Sequence, residues 1–193
     1  VNNTPVADAR ALHATASAFD AQRNKLPIPG DPHRSPDTVA VAGQIAQLGT
    51  LITTLGDQIL FRANAENQAP HSAKVIASFA AAVGPASRAA TALGSVANQL
   101  SVLDQTEHLR DQPDVRGARE VATLVIGNAL GMADKDLREA PDSLHAAAAT
   151  ISSTSLRLQA ARSRSTAAAP SPTPSSASAP AAAAPPNRIT RSR

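Results

Sequence analysis

The sequence predicts an all-α fold: an elongated, mostly antiparallel bundle of about five helices with a disordered C-terminal tail. Three observations predict it. Apolar residues recur at alternating steps of three and four along most of the first 160 positions, which is the repeat of one helical face. Aromatic residues make up 2% of the chain, as Phe19, Phe61 and Phe79, too few for the aromatic and β-branched interior of a sheet protein. Alanine fills the difference; it is the strongest helix former, and its small side chain lets backbones approach.

Thr4-Pro5 reads as a helix start, with Thr as N-cap and Pro at the first helical position. Asp8 in the first turn complements the helix dipole. Ala9, Leu12, Ala16, Phe19 and Leu26 share one face, so a helix is expected over 5–25. Pro27, Pro29, Pro32 and Pro36 with Gly30 make 26–36 a stiff, extended connector. Pro29 to Pro32 matches the PxxP ligand pattern, which any proline-rich connector also produces.

Ser35-Pro36-Asp37 opens the second helix, with a heptad seam of Val41, Ile45, Leu48, Ile52, Leu55 and Ile59. Leu51, Leu60 and Phe61 widen its expected buried face. Gly43, Gly49 and Gly56 inside this helix each cost ~1 kcal/mol against Ala, which points to close approach of a neighbouring backbone. After a polar turn at 64–69, Pro70 opens the third helix. Its seam is Ile76, Phe79, Val83, Ala86, Ala90, Leu93, Ala97 and Leu100. That register is unbroken through Gly84-Pro85, so one kinked helix of roughly 40 residues is expected rather than a break.

Asp111 to Asp114 is the next turn, followed by a helix over 115–139. Its middle, Val121 to Ala133, is apolar nearly all round, the mark of the most buried helix. Ala140-Pro141-Asp142 is expected to break the chain. A last helix with Leu144, Ala148, Ile151, Ser155 and Leu158 on one face then ends near Arg162. Residues 1–162 therefore form one helical unit. Residues 163–193, rich in Ala, Pro, Ser and Arg, cannot bury enough surface to offset their ordering entropy.

Residues 1–160 carry 13 Lys/Arg against 15 Asp/Glu, a net −2, whereas residues 161–193 have five Arg and no acid. The absence of Cys rules out disulfides and thiolate chemistry. No basic start followed by an apolar run opens the chain, and no run reaches ~18 apolar residues. A cytoplasmic protein without a transmembrane segment is the expectation. Fifteen Arg to three Lys, with abundant Ala, points to a GC-rich bacterial genome.

Phosphate-binding loops, dinucleotide fingerprints, HExxH and GxSxG are absent, so no catalytic, cofactor-binding or metal-ligating residue is assigned and a non-enzyme is expected. Asp104, His108 and Asp111, with Glu107 alongside, lie on one face at metal-compatible spacing, but a solvated, salt-bridging turn explains them better. Asp134 to Glu139 reads as an exposed last turn with i,i+4 pairs Asp134–Arg138 and Lys135–Glu139. Gly127-x3-Gly131 matches a helix-pairing motif, expected here to serve close packing within the bundle.

The lead functional reading is a non-enzymatic helical scaffold or protein–protein interaction module that self-associates or binds a helical partner. Leu48, Leu55, Ile59, Gly127 and Gly131 are its candidate interface residues. An alternative is a nucleic-acid-associated protein whose Arg162, Arg164, Arg188, Arg191 and Arg193 contact phosphates, although no aromatic lies near them to stack on bases. Another is an amphipathic coat on a lipid or granule surface.

Overall fold

The computed structural model describes residues 5–31, 33–64 and 71–167. It is all-α, with no strand among the described residues, and has four helices rather than five: α1 (Pro5–Arg23), α2 (Thr38–Ala63), α3 (Ser72–Gln105) and α4 (Pro113–Ala167). A 3₁₀ turn, Glu107–Leu109, joins α3 to α4.

Cross-helix contacts fix the topology. Thr38 at the start of α2 donates to Asp104 at the end of α3. Arg119 near the start of α4 donates to the Leu103 carbonyl, while Arg88 in the middle of α3 reaches Asp136. Arg23 at the end of α1 meets Asp134, and His13 meets His145 further along α4. Each pair runs in opposite directions, so the helices form an up-down-up-down bundle. The main packing is of α3 against α2 and α4, and of α1 against α4; α1 and α2 touch sparsely.

The core follows from this order. On α2, Val41, Leu48 and Leu55 are fully buried, and Ile45, Ile52 and Ile59 pack partly buried beside them, so the heptad seam is real. Leu60 and Phe61 are exposed, against the expected wide buried face, because among the described helices α2 has a substantial neighbour only in α3. On α3 the buried row is Val75, Phe79, Ala82, Ala86, Ala89, Leu93, Val96 and Leu100. Alternate positions lie one residue earlier than in the expected seam, as suits a helix that faces both α2 and α4. Pro85 sits within the continuous α3.

The largest departure is at Pro141. A break was expected there, but α4 runs through it without interruption. Proline removes the hydrogen bond to the Leu137 carbonyl and crowds the preceding turn, at a cost of ~3 kcal/mol. Leu137, Ala140, Leu144, Ala147 and Ala148 are buried on both sides of the proline, and their packing holds the helix together. The helix also continues to Ala167, five residues into the segment read as tail. Ile151 is buried and shares a groove with Pro5 of α1; Leu158 beyond it is exposed. Residues 168–193, like the 65–69 turn and Pro70, lie outside the described residues.

The connector after α1 is compact rather than extended. Ile28-Pro29-Gly30-Asp31 closes a turn, with the Asp31 N–H donating to the Ile28 carbonyl at 3.1 Å. Gly30 has φ +85°. Pro at the second and a positive-φ Gly at the third position define a type II turn. The Ile28 N–H then donates to the Arg34 carbonyl, and the Arg34 guanidinium donates to the Asn24 and Leu26 carbonyls, stapling the loop. Pro32, the second proline of the PxxP pattern, lies outside the described residues.

Two outcomes are expected. Pro141→Ala restores one helical hydrogen bond without changing the path of α4, and should raise stability by about 1–3 kcal/mol. A Cβ added at Gly49 meets nothing within 4 Å, so Gly49→Ala should stabilise by about 0.5–1 kcal/mol. Urea unfolding followed by circular dichroism reads both.

Candidate functional site

The outer face of α4 is the surface that differs most from expectation. The Val121–Ala133 stretch was expected to be the most buried, yet Val121, Leu124 and Met132 are 60%, 65% and 60% exposed. The inward row of the same stretch, Ala122, Ile126, Ala129, Leu130 and Ala133, is buried. Both sides of the helix are apolar, and among the described residues only one has a partner.

Gly127 and Gly131 do not mediate close packing inside the bundle, because a Cβ at either would meet nothing within 4 Å. The same holds for Gly43, Gly49 and Gly56 of α2, which were expected to admit a neighbouring backbone. Gly127 and Gly131 instead border a groove of about 390 Å³ between α4 and the proline loop, shared with Arg23, Leu26, Arg34 and Asp134.

The charge run at 134–139 is not a helix end but an electrostatic hub in mid-helix. Asp134 accepts from Arg23 of α1 at 2.7 Å and from Arg138 at 2.6 Å. Arg88 of α3 donates to Asp136 at 2.9 Å and to Glu139 at 3.1 Å. The hydrogen bond to Asp136, with the nearby carboxylate charges, raises the Arg88 guanidinium above its ordinary value, so it stays charged wherever the fold survives. Asp136 is buried, and this partner offsets the loss of its hydration.

A second polar cluster closes the opposite end of α1. Asp8 and Arg62 are 1% and 4% exposed. Arg62 Nε and Nη2 lie 3.0 and 2.9 Å from Asp8 Oδ1. The guanidinium also donates to Gln58 and stands 4.9 Å over the Phe79 ring. His71 Nε2 is 3.0 Å from Asp8 Oδ2 but off the line of a good hydrogen bond, and neither atom has another partner among the described residues. At the other end, Gln44 donates to the Gln22 carbonyl and Gln22 to Gln47.

Of the candidate interface residues, Leu48 and Leu55 are buried in the chain's own core and Ile59 packs against it. Gly127 is half-buried and Gly131 exposed. Arg162 and Arg164 are exposed near the end of α4. Arg188, Arg191 and Arg193 lie outside the described residues. Asp104, His108 and Asp111 are dispersed around the 3₁₀ turn: Asp104 accepts from Thr38, and Glu107 pairs with Arg110 and Arg119. Among the described residues no three His, Cys, Asp or Glu side chains group as metal ligands.

Sequence reasoning missed the Asp8–Arg62 pair and the meeting of His13 with His145, because both are long-range. An acid on the apolar face of a helix, one turn from Leu12, was the available signal for Asp8.

Fold and surface together define a four-helix bundle whose α4 carries exposed apolar residues opposite its buried row. No family model, curated protein or solved structure matches the chain.

Removing one partner of the buried pair leaves an uncompensated charge. Asp8→Ala should therefore cost about 3–5 kcal/mol, whereas Asp8→Leu with Arg62→Met should cost far less than either change alone. Urea midpoints of the wild type, Asp8→Ala, each single change and the double variant test this.

Proposed function

We propose that the chain is a non-enzymatic helical interaction module, and that the outer face of α4 is its contact surface, pairing with a second copy of the chain. The observation that carries this is the open row of Val121, Leu124 and Met132 beside Gly131. Val121, Leu124 and Met132 lie on one side of α4 at helical spacing, with Asn128 and Gly131 between Leu124 and Met132. Single exposed apolar residues are ordinary on a protein surface, and three gathered on one side of a helix are what supports a contact surface here. The glycines let a partner helix approach closely.

A second reading rests on α2. Among the described helices it alone is long and apolar enough, by length and composition, to cross a membrane, and only 22% of that apolar window is buried. Its exposed Val39, Leu60 and Phe61 would suit an amphipathic coat on a lipid surface. Burial of Val41, Leu48 and Leu55 against α3 favours the role of a bundle helix.

Size exclusion with light scattering on the full chain decides between them. A dimer is expected that Leu124→Glu with Met132→Glu converts to a folded monomer. A wild-type monomer at all concentrations would overturn the self-association reading. Flotation with anionic liposomes, lost on Phe61→Glu, would move the assignment to the lipid surface.

A further inference from the structure

His13 of α1 and His145 of α4, 132 residues apart in the chain, point their Nδ1 atoms at each other at 3.0 Å. The rings lie 5.2 Å apart between centroids, tilted by 43°. Asp20 stands behind this pair, with Oδ2 3.7 Å from His145 Nε2. His13 is exposed and His145 half-exposed, so the gap between them opens to solvent.

We propose that His13 and His145 form a two-imidazole site for a divalent transition metal of the zinc class, clipping α1 to α4. Two nitrogens bound at ~2.0–2.1 Å to one tetrahedral zinc lie about 3.3 Å apart. The observed separation is a few tenths of an ångström short of that, within the reach of a small side-chain rotation. Asp20 supplies the other half of the arrangement. At 3.7 Å this carboxylate is beyond hydrogen-bond length of Nε2, but its charge favours the tautomer with the proton on that nitrogen, which leaves the Nδ1 lone pair of His145 for the metal. Without metal one Nδ1 donates to the other, in the direction the tautomers set. A metal ion takes the place of that proton.

Imidazole suits zinc, copper and nickel rather than magnesium or calcium, which require oxygen ligands. Among the described residues no third protein ligand joins the pair; water fills the remaining positions, and the site is an exchangeable clip rather than a closed structural centre.

Calorimetric titration of the untagged full chain with zinc chloride tests it, with magnesium chloride as the control. One zinc per chain is expected, with no heat from magnesium. His13→Gln and His145→Gln should each abolish the binding, Asp20→Asn should weaken it about tenfold, and His108→Gln should leave it unchanged. Zinc should also raise the melting temperature of the wild type and not of His13→Gln, since the ion joins two helices of the folded state. Absence of zinc uptake by the wild type, or uptake that survives both histidine variants, overturns the site.

Discussion

The antiparallel packing of α3 on α4 is the contact on which the rest of the bundle depends. Its interior is largely alanine: Ala82, Ala86, Ala89 and Ala92 on one helix face, and Ala129, Ala133, Ala140 and Ala148 on the other. Each alanine buries little area, so each contributes only a fraction of what a buried leucine would. Small side chains hold two helices together only if the backbones come close and stay close over many turns. That requirement explains the lengths: α3 has 34 residues and α4 has 55. A chain with three phenylalanines accumulates burial along length instead of concentrating it in a few large side chains.

Apolar packing of this kind is weakly specific, because alanine rows can slide past one another. The polar contacts supply register. Arg88 across Asp136 and Glu139 fixes α3 against α4, and Arg23 on Asp134 fixes α1 against the same turn of α4. Between α1 and α2, where few side chains meet, the contact is polar at both ends: Asp8 with Arg62, and Gln22 with Gln44 and Gln47. A buried ion pair returns little net stability once desolvation is counted. It does penalise any arrangement that leaves one partner alone, and so selects a single register among nearly equivalent ones.

The helix faces were legible in the sequence because periodicity is a local property. Val41, Leu48 and Leu55, and Phe79, Ala86, Leu93 and Leu100, are buried where the spacing places them. Unbroken register correctly kept α3 whole through Pro85. The same test applied across Pro141, where Leu137, Ala140, Leu144 and Ala148 continue the three-four steps, would have kept α4 whole as well. There the local rule for proline was allowed to outweigh the pattern, and tertiary packing outweighed the proline. The candidate surface was less legible. An apolar-all-round helix has two apolar faces, and nothing in the sequence states how many of them have neighbours inside the chain. Likewise, no spacing rule links His13 to His145 or Asp8 to Arg62, because those meetings are created by the order of the helices around the bundle.

The glycines give this uncertainty a physical direction. Gly43, Gly49, Gly56, Gly127 and Gly131 all lie inside helices, where each is destabilising by roughly 0.5–1 kcal/mol relative to alanine. Close packing within the chain would offset that, but a Cβ at any of the five meets nothing within 4 Å. The fold therefore carries their cost without an internal return. On α2 the exposed neighbours of the glycines include Val39 one turn before Gly43 and Leu60 one turn after Gly56, with small or polar residues such as Ala42, Ala46, Thr50 and Thr53 between them. On α4 the neighbours are Leu124 and Met132, exposed and large. Glycine without apolar neighbours merely weakens a helix. Glycine set among exposed apolar side chains shapes a shallow apolar surface into which another helix can settle. The proposed contact face on α4 rests on what its glycines have beside them rather than on the glycines themselves.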